Sequence, residues 1–600
     1  YEGLKLITHM QFYNDIPVVR CWNELKNQGK RTYAVEYLSS FALTGLSGGC
    51  QQPRDKNGLL YIPHNTWFGE AQWKKYTLNE LGYDVVNTFS MKRISYSKTG
   101  SWGCDEFLPM GCYYNTETDT SMTWEIETSG SWHWEISDIN EQLYLQIAGP
   151  TFQENGWMIN LRPGESFTSV PCAVAVTGGE FQESIGAMTQ YRRRIRRQNK
   201  DNETLPVIFN DYMNCLMGDP TTEVLKPLID AAKEAGCEYF CVDCGWYSDG
   251  HWWDGVGEWL PSLKRFPGGI GEVIQYIRSR DMIPGLWLEL EVMGTKCPMV
   301  DKVPKDWFFQ RNGQAIIDHC RYQLDFRNPQ VQEYAMGVIK RLVEEYGVGY
   351  IKMDYNIDCG VGTDRDADSA GAGLLEHNRA YLAWLDRVFE TYPDLIIENC
   401  SSGGMRMEYS MLSRQSIQSV TDQTDYIKMA AIAANCATAC APEQAAIWSY
   451  PLIRGTEEEA VFNMVNAMLL RVHQSGYLGQ IGDSRMRHVT DGIRLYKEIR
   501  EDIKEGLPFW PTGLASFSDE YLSYGMQCGD RCYLAVWRTK GEGEKEFCIP
   551  LQKNGCQVKN VRCMYPVDMK TDYKYEADTE CLHIKLEPKT ARVFAFSRMG

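Results

Sequence analysis

From about residue 205 to 507 the chain alternates short apolar runs with amphipathic stretches, and few folds accept that rhythm. The runs are "PVIFND" (206–211), "CEYFCVD" (237–243), "IPGLWLE" (283–289), "VGYIKMD" (348–354), "LIIENC" (395–400), "SIQSVTD" (416–422), "AAIWSYP" (445–451) and "GYLGQIG" (476–482). Most are rich in β-branched or aromatic residues, so each is predicted to be a strand covered on both faces. Between them, "TEVLKPLIDAAKEAG" (222–236) and "VQEYAMGVIKRLVEEYG" (331–347) repeat apolar residues at helical spacing. Eight strands with helices between them predict a multi-domain α/β chain whose centre, 205–507, is a (β/α)8 barrel. Residues 1–187 read instead as a β-sandwich, with alternating runs such as "SMTWEIET", "SWHWEIS" and "QLYLQIAG" set between turns. The basic segment 188–204 is predicted to be a helical linker whose five arginines form a solvated face between domains. Residues 508–600 return to strands ("CYLAVWRT", "ARVFAFS") and predict a C-terminal antiparallel β-sandwich.

Composition narrows the partners. The net charge of −18 repels phosphate and anionic lipid, which argues against nucleic acid and membrane surfaces. No run of about 20 apolar residues is present to span a bilayer. The 21 cysteines are odd in number and scattered, as in a reduced interior, so a cytoplasmic setting is expected; secretion stays open because the chain starts at Tyr1 rather than Met. Cys237, Cys241 and Cys244 cluster, but a zinc site would want a second such pair nearby, so they are expected to pack on a barrel strand and no metal is called for.

The ends of the predicted strands carry acids: Asp211, Asp243, Glu289, Asp354, Glu398 and Asp422. A buried strand does not end in a carboxylate for packing reasons, because an unpaired buried charge costs several kcal/mol. In a (β/α)8 barrel these ends form the rim that holds active sites. Lys352 and Asp354 alternate with Ile351 and Met353, so they point to the same side of their strand. Two reaction classes use such a rim. Glycoside hydrolysis needs two opposed carboxyl groups, and Mg²⁺-assisted enolisation, as in a Mg-dependent lyase, needs metal-binding carboxylates plus a Lys or His base. The 18 Trp and 34 Tyr, many in polar contexts, favour a sugar.

A set of motifs in one order then makes the chain resemble glycoside hydrolase family 36, the retaining α-galactosidases and α-N-acetylgalactosaminidases. "YIKMDYN" resembles the family's K-W-D-M-N, "NCSSGGMRMEY" (399–409) its C-S-G-G-G-G-R and "RQSIQSVTDQTD" (414–425) the segment with W-T-S-D. "GLWLELE" (285–291), "VDCGW" (242–246), "GEW" (257–259) and "RYQLDF" (321–326) resemble G-L-W-I-E-P-E, D-D-G-W, G-D-W and R-x-Q-L-x-L-D. The resemblance covers nearly the whole chain and implies an N-terminal β-supersandwich, no cofactor, and a dimer or tetramer formed through the N-terminal domain. It implies Asp354 as nucleophile and Asp422, rather than Asp425, as acid/base. Around the sugar it implies Asp243 at O4 or O6, Trp259 stacked on the ring, and Arg321 and Lys352 donating to hydroxyls. Cys400, Gly403 and Gly404 would line the C2 side, Arg406 would read the sugar or brace the loop, and Asn356 would support it. The aromatic stretch "HNTWFGEAQW" (64–73) would reach a neighbouring subunit's site or pack as a local hairpin.

Two departures bear on the sugar. Cys244 stands where the family has a second acid, so Asp211 or Glu289 would have to replace it, or the preferred sugar differs near C4 and C6. Tyr212, in "NDYMN" (210–214), replaces a tryptophan. The expected activity is therefore an exo-acting, retaining α-galactosidase on a terminal α-galactose-type sugar. The alternatives are an α-N-acetylgalactosaminidase or α-galactosaminidase with the same mechanism, a raffinose-synthase-like transglycosylase, the enolising lyase, and a sugar-binding protein on an inactive barrel.

Overall fold

The computed structural model describes residues 2–48, 54–84, 86–87, 89, 91–139, 142–552 and 556–599. Its centre is a closed parallel barrel of strands Ile208–Asn210, Tyr239–Val242, Ile283–Leu288, Tyr350–Met353, Ile396–Asn399, Ile417–Ser419, Ala445–Ser449 and Arg471–Gln474, called strands one to eight below. Strand eight closes on strand one through Ile208 opposite His473. Strands four to eight are buried at every position, as expected where helices cover the outside and side chains fill the inside.

Seven strands lie within the predicted runs, but the eighth does not. The apolar run at 476–482 is a loop with a short 3-10 turn at Leu478–Gln480, and the strand is the polar "RVHQ" just before it. Its polar residues are packed inside the molecule. Arg471 holds Asp201 at 2.7 Å, and the His473 ring stacks on Trp448 at 3.8 Å. A rule that seeks apolar runs passes over a strand whose polar side chains are buried against tertiary partners.

The N-terminal part packs a nine-stranded sheet against a four-stranded one. Trp124 of the first meets Trp134 of the second edge-on, with ring centres 4.9 Å apart. The C-terminal part pairs a five-stranded with a three-stranded sheet.

The expected solvated linker needs correction. A helix spans Phe181–Ile195, across the 187/188 boundary, and a second spans Lys200–Thr204. Of the five arginines only Arg194 is exposed. Arg192 is fully buried, pairs with Glu125 of the N-terminal sheets, and donates to the Thr438 carbonyl of the barrel at 2.9 Å. Arg193 and Arg196 both hold the buried Glu443, and Arg193 also donates to the Gly506 carbonyl at 2.9 Å. The basic helix is an ionic bolt, which the sequence could not show because its acidic partners lie 67 and about 250 residues away. Among the described residues no helix is long and apolar enough to cross a membrane.

Candidate active site

Strand four delivers Lys352 and Asp354 to the C-terminal mouth of the barrel. Asp354 accepts hydrogen bonds from three groups: Trp287 Nε1 on strand three at 3.0 Å, its neighbour's Tyr355 N–H at 2.8 Å, and the Ser402 N–H at 3.2 Å. Both oxygens are thus engaged as acceptors, and the carboxylate is oriented by a ring and a loop as well as by its own strand. The Lys352 ammonium bonds Asp243 at 3.0 Å, not Asp354. Burial works against this ammonium, but Asp243, Asp354 and Asp422 around it outweigh burial and hold its pKa well above the usual lysine range. Asp243 also accepts from Asn210 Nδ2 at 2.7 Å, which completes a row across strands one, two and four.

Asp422 follows strand six. It is half-buried, and Trp67 Nε1 donates to its Oδ2 at 3.0 Å. Burial pushes its carboxyl up to about 6; Lys352 pulls the other way, Asp354 adds to the rise, and the Trp67 bond opposes it. Asp425, its rival in the sequence, caps the helix Tyr426–Cys436 by accepting from the Ile427 and Lys428 N–H groups. The two strand-end acids therefore sit in different settings, one holding three donors and one biased toward its protonated form.

Several expected ligand contacts are placed otherwise. Trp259 does not face the mouth: it is fully buried, packs on Trp246, Tyr247 and Trp287, and donates to Tyr334 Oη at 3.0 Å. Arg321 is enclosed, paired with Glu289 at 2.9 Å and stacked 3.8 Å above the Trp253 ring. Arg406 pairs with Glu291 at 2.8 Å, donates to Ser401 Oγ at 2.8 Å and lies 4.0 Å above the Tyr355 ring, which is the bracing role. Asn356 supports the same loop, accepting from Ser402 Oγ at 2.7 Å while its N–H donates to Glu289 at 2.7 Å. Glu398 is not at the rim but inside the barrel, bonded to Tyr350 at the start of strand four.

The glycines have a reason other than ligand approach. Gly403 has φ +76°, and a Cβ there would lie 2.7 Å from Thr421 Cα and 3.0 Å from the Asp422 nitrogen. At Gly404 a Cβ would lie 2.8 Å from the Val420 carbonyl oxygen. They let the loop after strand five close onto strand six, beside the fully buried Cys400. The other cysteines of interest, Cys237, Cys241 and Cys244, are all buried on or beside strand two. Burial pushes the Cys244 thiol well above its usual range, so it stays neutral. The Asp243 N–H donates to Asp211 Oδ1 at 2.8 Å, while the buried Asp211 Oδ2 has no hydrogen-bond partner.

Two residues of the site were not singled out from sequence, and a third, Trp67, was named only within the aromatic stretch 64–73. Trp287 and Ser402 lay inside quoted motifs, and their link to Asp354 is visible only in three dimensions. Trp67 lies at the tip of the hairpin made by Gly58–Asn65 and Gln72–Thr77, and that hairpin reaches the barrel of its own chain.

Fold and site together define a class: multidomain (β/α)8 barrel proteins with carboxyl groups gathered at the C-terminal ends of the strands. A family model described as Melibiase matches residues 169–505, and the chain belongs to that family. Among curated relatives, the α-galactosidase Mel36A of Lactobacillus acidophilus is 24% identical over 58% of this chain and 48% of its own length. A probable α-galactosidase C of Aspergillus flavus is 23% identical over 82% of this chain and 62% of its own length. The chain thus spans about half the length of the curated relatives it matches first. Among solved structures, a variant of the α-galactosidase AgaA of Geobacillus stearothermophilus in complex with raffinose covers all of this chain and 82% of its own, with a TM-score of 0.84 at 14% identity. That likeness gives the three-part fold.

Proposed function

We propose that the protein is a retaining, exo-acting α-galactosidase that cleaves a terminal α-linked galactose-type sugar. One observation carries this: two carboxyl groups at the ends of strands four and six have environments that separate an acceptor from a proton donor. In the first step an Asp354 oxygen bonds to the anomeric carbon as the glycosidic C–O bond breaks, and Asp422 gives its proton to the departing oxygen. In the second step Asp422 takes a proton from water, whose oxygen bonds to the anomeric carbon and releases Asp354. Lys352 and Asp243, bound to each other, read sugar hydroxyls; Arg321 and Glu289 hold the wall behind them. Asp211, whose carboxyl burial and then Asp243 push well above the usual aspartate range and whose buried Oδ2 has no partner, is the group that replaces the family's second acid at Cys244. The raffinose held by AgaA and the α-galactosidases among the relatives support this substrate class.

A second reading keeps the same chemistry on α-N-acetylgalactosamine or α-galactosamine, which differ from galactose at C2, the side that Cys400, Gly403 and Gly404 are expected to line. We further propose four parts, an N-terminal sandwich, a helical segment that starts at Phe181 rather than at 188, a barrel from about 205 and a C-terminal sandwich from Leu507, together with a homo-oligomer; the free thiols among the described residues support a cytoplasmic setting.

The test compares aryl α-galactoside, α-N-acetylgalactosaminide, α-galactosaminide and α-glucoside by kcat/KM. The α-galactoside is expected to lead, with Asp354→Asn reducing turnover by about 10³-fold or more in a folded protein. A 2-amino or 2-acetamido sugar ahead by about tenfold would move the proposal to the second reading. Near-normal turnover by Asp354→Asn would end both.

A further inference from the structure

Trp67 is the point at which the N-terminal sandwich touches the reacting groups. Its Nε1 donates to Asp422 Oδ2 at 3.0 Å, yet 39% of the residue is exposed. Its ring stacks on Phe68, 40% exposed, with centres 4.8 Å apart and planes 18° off parallel, and meets Trp102 edge-on at 6.4 Å. The two rings make one exposed aromatic face beside the polar site, with a shape that suits a sugar ring.

The loop that carries them is built and strained. Phe68 (φ +65°) and Ala71 (φ +55°) both hold the left-handed conformation without being glycine. Each costs about 1–3 kcal/mol and persists only where surroundings impose it. Those surroundings are specific: Gln423 Nε2 donates to the Phe68 carbonyl at 2.7 Å, Asn65 Nδ2 to the Cys104 carbonyl at 2.7 Å, and the Ala71 N–H to Asn65 Oδ1 at 2.8 Å. The fully buried Glu70 packs under Gly403 and Gly404.

We propose that Trp67 is a positioning residue for the acid/base and that its exposed face, with Phe68, receives the leaving group as a stacked sugar ring. This rests on the reading of Asp422 given above. With Oδ2 held by the indole, Oδ1 is the oxygen left to carry the proton. Whatever is attached to the departing oxygen must lie beside Asp422, and the stacked pair is an exposed aromatic surface there. The indole N–H also favours the ionised form of Asp422. The other groups facing this carboxyl are Lys352 and Asp354 on strand four, Asp243 after strand two, Tyr212 after strand one, Cys400 after strand five, and Glu70 on the loop itself.

The experiment measures pH profiles of kcat/KM for Trp67→Phe, which keeps a ring and loses the donor, and for Trp67→Ala, with a trisaccharide and an activated aryl glycoside. In Trp67→Phe the alkaline limb is expected to move up by about half a unit or more, because the bond that favours the carboxylate is gone. Trp67→Ala is expected also to raise KM for the trisaccharide by about tenfold while sparing the aryl substrate, since the ring face that receives the leaving sugar is gone. An unmoved limb together with equal losses on both substrates, in variants that melt like the parent, overturns the proposal. Asp422→Ala is measured alongside. If it spares the trisaccharide as well as the aryl glycoside, the acid/base reading falls and the role of Trp67 with it. If it loses the trisaccharide selectively while Trp67→Phe leaves the limb unmoved, Trp67 alone is overturned.

Discussion

Lys352 and Asp354 share a strand face but not a hydrogen bond. The ammonium goes to Asp243, so its effect on Asp354 acts through the field of a buried cation and not through contact. This arrangement leaves Asp354 to be aimed by Trp287 and the Ser402 N–H. The neighbouring charges also set the pH response. Asp422 must hold a proton for the first step, and its carboxyl is pushed up to about 6 by burial. Because the protonated form is the active one, kcat/KM is expected to be full below that value and to fall as pH rises through it. A profile of kcat/KM in the free enzyme checks this; a limb near the ordinary aspartate value would refute it. Because Asp211 fills the role of the missing acid in our reading, Cys244→Asp is expected to leave α-galactoside kcat/KM unchanged or lower. A gain of about tenfold would mean that the missing acid limits sugar reading and that Asp211 does not replace it.

At the scale of elements, the loop after strand five explains why glycine recurs there. The loop turns back over strand six, so that a Cβ added at Gly403 would lie 3.0 Å from the Asp422 nitrogen. A Cβ at φ +76° adds strain and pushes the loop off. Gly403→Ala is therefore expected to cost about 1–3 kcal/mol and to lower kcat with little change in KM, since it displaces both Ser402 and Asp422. Urea unfolding and steady-state kinetics on one preparation test this. Loss of stability at full kcat would show that the loop can shift without moving either acid.

For the whole molecule, the N-terminal sandwich does two things at the barrel. Its hairpin supplies Trp67, and its Glu125 receives Arg192, which also reaches Thr438. Removing one partner of a buried pair leaves the other charge uncompensated, so Arg192→Ala is expected to cost about 3–5 kcal/mol. Because the sandwich positions the acid/base in our reading, activity should fall at temperatures below the main melting transition. Calorimetry with parallel activity measurements separates these events, and a single transition with activity lost only at Tm would contradict the coupling.

Much of this was written into local pattern. Seven strand positions, the helix stops at Gly236 and Gly347, and the pairing of Lys352 with Asp354 on one face follow from periodicity, because burial and backbone geometry act on neighbours in sequence. Motif order carried the family. Other features had no local signal. The polar eighth strand, the buried arginines of the linker helix and the enclosed Trp259 depend on partners tens to hundreds of residues away. So does the indole that holds Asp422 across 355 positions of chain. A charged or aromatic side chain reads as surface or as ligand-facing until its partner is known. Only the tertiary structure supplies that partner, because desolvation and pairing are decided together when the domains close.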